Sequence, residues 1–350
     1  MTRKSAPQGG SVTLEDVARV AGVSRATVSR VVNGVATVDP ALRKVVEQAV
    51  AATSYVPNRA ARSLVTRSTD SIALVVSEAE HGRVATPFVG RIFTDPFFGR
   101  VVSGVMEEIR PQGVQMVLML VDDQESRTKL LSYLKQGHVD GVVLISTHAE
   151  DPLPRQLAEA RVPAVLSARP VQSIPISYVE VDQRAGAALA LDHLVATGRR
   201  RIATISGPLD TPAGRERLAG FREALAGRGM TELAAVEGDF TQAGAAAAMK
   251  RLLAEHPEVD GVFVASDLMA LGALPVLARA GRQVPGEVAL VGFDDSSAAL
   301  ACDPQLTTIR QPVEEMAAHM ARLLLQQIAD PARTLQSALF QPTLVVRDST

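Results

Sequence analysis

Residues 12–34 read VTLEDVARVAGVSRATVSRVVNG, and this stretch decides how the chain begins. Thr13 stands three residues before Asp16, the spacing at which side chain and backbone cap each other reciprocally at a helix start. Leu14, Val17, Ala18 and Ala21 then recur at helical spacing on one face. Gly22 supplies a tight turn, and Ser24 is placed to cap a second helix. Val28, Val31 and Val32 turn that helix inward. Ser24, Arg25, Ala26, Thr27, Ser29, Arg30 and Asn33 remain outside, all able to touch a duplex. Two short helices across a tight turn form the helix-turn-helix pattern, whose second helix enters the major groove with its N-terminal residues on base edges.

Charge sharpens the reading. The 350 residues hold 36 Lys and Arg against 38 Asp and Glu, a net of −2. Residues 1–69 hold ten basic against four acidic residues, a net of +6, and the rest holds 26 against 34, a net of −8. A basic head on an acidic body is the asymmetry of a nucleic-acid-binding domain joined to something else. Further on, Asp39-Pro40 starts a third helix, with Leu42, Val45, Val46, Ala49 and Val50 as its expected buried face and an end near Thr53.

VTLEDVARVAGVSRATVSRVVNG followed by YVPNRAARSL resembles the head of the LacI/GalR family of transcriptional regulators. GPLDTPAGRERLAGF, GDF, SDLMALGAL, VGFDDS and PQLTTIRQP continue the resemblance almost to the C-terminus. It implies a three-helix headpiece, then a hinge helix, then a body of the periplasmic-binding-protein type I architecture, two parallel-sheet α/β subdomains crossed three times by the chain. It also implies that Thr13 joins the DNA-facing set. It further implies a hinge in which Asn58 caps a short helix, Arg62 meets DNA and Leu64 enters the minor groove. An apolar wedge between base steps kinks DNA, and so short a helix does not persist alone in water.

The expected divisions are a disordered tail (1–11), a headpiece (12–56), a hinge helix and linker (57–69), and an effector-binding and dimerisation domain (70–350). In the body, the first subdomain takes about 70–176 and 312–330, the second about 177–311 and 335–347. Alternating segments support this: SIALVVS, VQMVLML, VDGVVLIS and VPAVLSA, then SYVEVD, RIATIS, AAVEGD, GVFVAS and VALVGF, with helical segments between them. Buried parallel strands covered on both faces read this way. A final strand near 339–346 is assigned to the second subdomain. Residues 80–91, EHGRVATPFVGR, read as an insertion near the mouth of the cleft.

Ligands of open parallel sheets bind beyond the carboxyl ends of the strands. Asp182, Ser266 and Asp294 stand at such ends, and Thr147, Arg217 and Phe240 follow others; Phe97 and Phe98 open a helix. By resemblance, Phe98, Arg217, Phe240 and Asp294 match effector-contacting positions of the family, and Phe97, Thr147, Asp182 and Ser266 match less closely. Asp267 and Asp295 read as helix N-caps. Carboxylates and Arg can grip vicinal hydroxyls, and aromatic faces stack on sugar rings. Thr211-Pro212-Ala213 lacks the basic side chain that purine-responsive relatives carry there, which favours a sugar over a purine corepressor.

Other classes fit less well. No Gly-x-Ser-x-Gly, P-loop, His-Glu-x-x-His or dinucleotide pattern is present. The six His residues (81, 138, 148, 193, 256 and 319) are scattered, with no metal-ligand spacing, and no cofactor is called for. A single cysteine, Cys302, fits a reducing cytoplasm. A polar N-terminus and the lack of any long apolar run imply neither export nor a membrane span, against a solute-binding transport receptor. No leucine heptads appear near the end, so no tetramerising coil is expected, and the family resemblance implies a homodimer. The expected partners are operator DNA, a small effector and a second copy of the chain.

Overall fold

A computed structural model describes residues 12–33, 37–56, 68–78 and 88–350. The expectations for the tail and for Asn58, Arg62 and Leu64 of the hinge lie outside the described residues, as does most of the 80–91 segment. The chain divides into two compact units, 1–69 and 70–350.

In the first unit, α1 spans Leu14–Ala21, α2 Arg25–Val32 and α3 Pro40–Thr53. The capping box is formed: Thr13 N–H donates to Asp16 Oδ2 at 3.0 Å, and Asp16 N–H to Thr13 Oγ1 at 3.3 Å. Gly22 closes α1 in the left-handed region at φ 67°, where a side chain would be strained. Ser24 Oγ accepts from Thr27 N–H at 3.1 Å and caps α2. Asp39 Oδ1 accepts from the amides of Ala41 and Leu42 and caps α3. Val17, Val28 and Val46 are fully buried and, with Ala18, Val31, Ala49 and Tyr55, make the core. Leu42 and Val45 are a correction: each is 42% exposed. Three short helices close over only one stripe of α3, and that stripe is the one carrying Val46, Ala49 and Val50.

The second unit holds two six-stranded sheets that share one order over five strands and differ in the sixth. The first contains β1 (Ser71–Ser77), β2 (Gln115–Val121), β3 (Val142–Ser146), β4 (Ala164–Leu166) and β5 (Ser177–Val181) in the order 2-1-3-4-5, edged by β11 (Ser337–Phe340). The second contains β6 (Ile202–Ser206), β7 (Ala235–Glu237), β8 (Gly261–Val264), β9 (Ala289–Asp294) and β10 (Thr307–Arg310) in the order 7-6-8-9-10, edged by β12 (Thr343–Val345). All pairs are parallel except β10 with β12. This doubly wound order places its switch point beside β1 in one sheet and β6 in the other.

In chain order the helices are α4 (Phe88–Thr94), α5 (Pro96–Ile109), α6 (Gln124–Lys135), α7 (Leu153–Glu159), α8 (Gln183–Ala196), α9 (Pro212–Gly227), α10 (Gln242–Glu255), α11 (Asp267–Arg279), α12 (Ser297–Ala301) and α13 (Val313–Ala329). α5 and α13 cover one face of the first sheet, as the buried set Ile72, Val105, Ala317 and Leu324 shows. α6 and α7 cover the other through Leu130 and Leu157. In the second sheet α8 and α9 pack through Leu191 and Phe221, and α10 and α11 through Leu252 and Leu277.

Two expectations change. Tyr178 lies opposite Leu166 of β4, so SYVEV belongs to the first sheet rather than opening the second. Its alternation of buried and half-buried residues matches a strand near the sheet's edge. The final strand is two: β11 pairs with β5 in the first sheet, and β12 with β10 in the second. Gln341-Pro342 separates them, and proline cannot donate to a ladder. The chain therefore crosses between sheets after β5, after β10 and after β11, three times as expected. Among the described residues no helix is long and apolar enough to cross a membrane.

Removing the cap hydroxyl tests the reading of the headpiece. Thr13→Ala is expected to cost about 1 kcal/mol of α1 stability. Hydrogen exchange should speed roughly fivefold at the amides of α1 and stay unchanged in residues 70–350.

Candidate functional site

The carboxyl ends of both sheets face one cleft, with a cavity of about 630 Å³. Phe97, Phe98, Thr147, Asp182, Arg217, Phe240, Ser266 and Asp294 all line it. Their side chains are not equally free. Asp182 caps α8 by accepting from Ala185 N–H at 2.9 Å, and Ser266 caps α11 by accepting from Met269 N–H at 3.2 Å. Thr147 donates to the Ser77 carbonyl at 3.0 Å.

Arg217 is the organising cation. It sits in α9, only 4% exposed, with its guanidinium carbon 3.6 Å from the centre of the Phe293 ring. Its Nε donates to Gln183 Oε1 at 2.7 Å and Nη1 to the Ala265 carbonyl, with Asp294 Oδ1 3.5 Å from Nη1. Burial pulls its affinity for a proton down and Asp294 opposes that; a guanidinium stays charged at neutral pH regardless.

Asp294 ends β9 with φ 114°, a left-handed backbone rarely adopted outside glycine. Its Oδ1 accepts from Gln311 Nε2 at 2.6 Å. Its carbonyl accepts from Arg100 of α5 at 2.8 Å, and Arg100 also reaches the Gln311 carbonyl and pairs with Glu314 at 2.7 Å. One arginine of the first subdomain thereby holds the strand ends and the crossover of the second. Burial pushes the Asp294 carboxyl up, with Arg217 opposing. Burial likewise raises Asp95, which caps α5 through Phe97 N–H at 2.9 Å.

Asp267 and Asp295 are not the caps expected of them. Asp267 is fully buried; its Oδ1 accepts from Thr308 Oγ1 at 2.5 Å and its Oδ2 from Ser296 N–H at 2.7 Å. Asp295 pairs with Arg310 and Arg347, both at 2.6 Å. The capping positions belong to the preceding Ser266 and the following Ser296, so both carboxylates are left to tie strand ends together.

The aromatic wall is built by close packing. Phe97 and Phe98 meet edge to face at 5.3 Å. Phe240 adopts φ 58° and lays its ring over Gly207, where a Cβ would come within 2.2 Å of ring carbon Cζ. Asp95, Arg100, Gln183 and Gln311 complete the arrangement without having been singled out in the sequence. Gln311 lies within the motif PQLTTIRQP, so for that residue the signal was present but carried no geometry.

In the first unit, the outward residues of α2 are disposed for a duplex. Ser24, Arg25, Ala26 and Arg30 are exposed, and Thr27, Ser29 and Asn33 half-exposed. Ser24 and Thr27 hydroxyls lie 2.9 Å apart, and Asn33 donates to Ser29 at 3.3 Å. Arg25 pairs with Glu15 at 2.8 Å, a solvated contact that a guanine edge could displace.

With this geometry in place, comparison with known proteins decides the family. Residues 13–58 match the model of bacterial regulatory proteins of the lacI family, and residues 191–350 that of the periplasmic binding protein-like domain. The HTH-type transcriptional regulator CelR of Thermobifida fusca is 47% identical over 341 residues, 96% of this chain and 98% of that one. The chain belongs to the lacI family. It is a DNA-binding transcriptional regulator with a body of periplasmic-binding-protein type I architecture. The ribose operon repressor of Escherichia coli K12 is 33% identical over 342 residues, 96% of this chain and 99% of that one. A solved CelR–cellobiose complex matches with a TM-score of 0.75 at 44% identity, over 97% of this chain and 100% of that one. A lac repressor dimer bound to operator and an anti-inducer matches at 0.84 and 29%, over 97% and 99%. Membership removes the transport-receptor alternative.

Gly207→Ala tests the wall of this lacI-family cavity. The added carbon must push the Phe240 ring into the cavity, so ligand affinity measured by calorimetry should fall about tenfold. Secondary structure followed by circular dichroism should stay native.

Proposed function

We propose that the chain is a cytoplasmic homodimeric repressor whose effector is a neutral β-linked glucose disaccharide, with cellobiose the first candidate. The cavity carries this reading: it joins the faces of Phe97, Phe98 and Phe240 to the polar pair Arg217 and Asp294. Aromatic faces against sugar rings, with charged groups on hydroxyls, are the usual chemistry of carbohydrate capture. At about 630 Å³ the cavity falls within the range of small-molecule sites. Its wall carries Arg169, Arg184, Arg215 and Arg217 against Asp95, Glu180, Asp182, Glu216 and Asp294, a near balance that favours an uncharged sugar over a sugar phosphate. The cellobiose complex of the 44% identical CelR points the same way.

On DNA, a two-fold dimer would place two α2 helices on the half-sites of a near-palindromic operator. Thr13, Ser24, Arg25, Ala26, Thr27, Ser29, Arg30 and Asn33 would meet the major groove and phosphates. Asn58, Arg62 and Leu64 would meet the minor groove. Effector binding would shift the two subdomains of the body and through residues 57–69 alter operator affinity, a coupling of about 1–3 kcal/mol in typical cases.

Calorimetry with cellobiose, glucose, ribose, sugar phosphates and purines tests the effector. Cellobiose should bind, and both Arg217→Ala and Asp294→Ala should weaken it at least tenfold. Tight purine binding with no sugar binding would replace this reading with a corepressor one. On DNA, Arg25→Ala should cost about 1–3 kcal/mol on the preferred site and relax choice at one base pair per half-site. Equal loss on random DNA would reduce Arg25 to a phosphate contact.

A further inference from the structure

His148 was one of six scattered histidines in the sequence, and the fold gives it a place. It follows β3 of the first subdomain, its side chain only 10% exposed, and faces the loop after β6 of the second. His148 Nδ1 lies 3.0 Å from Asp210 Oδ2. Beside it, Ala149 N–H donates to the Asp210 carbonyl at 3.0 Å. These two contacts cross from one subdomain to the other next to Thr147 and Thr211, which line the effector cavity.

The imidazole is held from behind. Glu78, at the end of β1, places Oε1 3.7 Å from His148 Nε2, an ion-pair distance rather than a hydrogen bond. Arg91 of α4 clamps both oxygens of Glu78 at 2.5 Å. In its own loop, the His148 carbonyl accepts from Asp151 N–H and from Ser146 Oγ, while Asp151 is occupied by Ser146 and Leu153. Glu150, Arg155 and Arg169 line the side cavity that His148 borders. The first subdomain thus presents a braced imidazole, and the second a half-exposed carboxylate.

We propose that His148 and Asp210 form a proton-dependent latch that closes the two subdomains over the effector, so that effector capture weakens as pH rises. Burial draws the imidazolium down, but Glu78 and Asp210 outweigh it, and His148 titrates above the ordinary histidine value. Opening the cleft withdraws Asp210 and leaves Glu78, so the closed form holds the proton more tightly than the open form. By linkage, the proton favours closure. That contribution is full below the open-form value and is lost as pH rises through the closed-form value. A ligand that prefers the closed cleft inherits the same dependence.

The effector arm of the test rests on the cellobiose reading, and the histidine arm does not. Calorimetry of cellobiose with the full chain at pH 6.0, 7.0 and 8.5 should show affinity falling about two- to fivefold, the scale of a partly solvated ion pair. His148→Gln and Asp210→Asn should each flatten that profile. Without ligand, the His148 ring signal, assigned by its loss in His148→Gln, should titrate at lower pH in Asp210→Asn than in the wild type. An unchanged titration in Asp210→Asn overturns the latch, as does a flat wild-type profile or one that both variants retain. Absence of cellobiose binding at every pH defeats the effector reading alone, and the ligand-free titration then decides the latch.

Discussion

The cleft depends on one buried guanidinium. Arg217 must stay charged, yet it is 4% exposed, and an unpaired charge so placed would be prohibitively costly. Every neighbour answers that demand: Gln183, the Ala265 carbonyl, the Phe293 ring and the Asp294 carboxyl. Asp294 in turn draws in Gln311 and offers its carbonyl to Arg100. The result is a polar cluster joining β8, β9, the β10–α13 crossover and α5. Such clusters are stable when every member is satisfied, and leave costly gaps when one is removed. A ligand entering here meets groups already fixed in place.

The same cluster sets which parts of the cleft can respond. Arg100 belongs to the first subdomain, while its carbonyl partners lie at the end of β9 and at the crossover. Movement of one subdomain on the other must stretch or keep those bonds. At the cavity's edge the contact between His148 and Asp210 is more solvated and therefore cheaper to break.

Much of this was legible in the sequence because period and capping act locally. Thr13, Ser24 and Asp39 cap the helices that their spacing predicts, and β1 spans the residues its apolar run predicts. All eight expected cavity residues reach one cavity because the carboxyl ends of parallel strands converge. Long-range pairing was not legible. Nothing within SYVEV says whether β4 or β6 will be its neighbour, and Pro342 marks a break within 337–345 without saying that the two halves pair in different sheets. Asp267 and Asp295 were misread for a related reason: a carboxylate near a helix start suits a cap, and only the fold shows Ser266 and Ser296 there first. Leu42 and Val45 show that helical spacing defines a stripe and not how much of it is covered.

Whether the cleft controls operator affinity can be read by fluorescence anisotropy. The titration uses the full chain and a labelled operator that the protein itself has selected from random DNA, with and without saturating cellobiose. The wild type should change operator affinity by about 5- to 150-fold on adding the sugar. Arg217→Lys, which keeps the charge but loses the forked geometry, should lose most of that change. Operator affinity indifferent to the sugar in the wild type would contradict such control, and so would an equal response in Arg217→Lys.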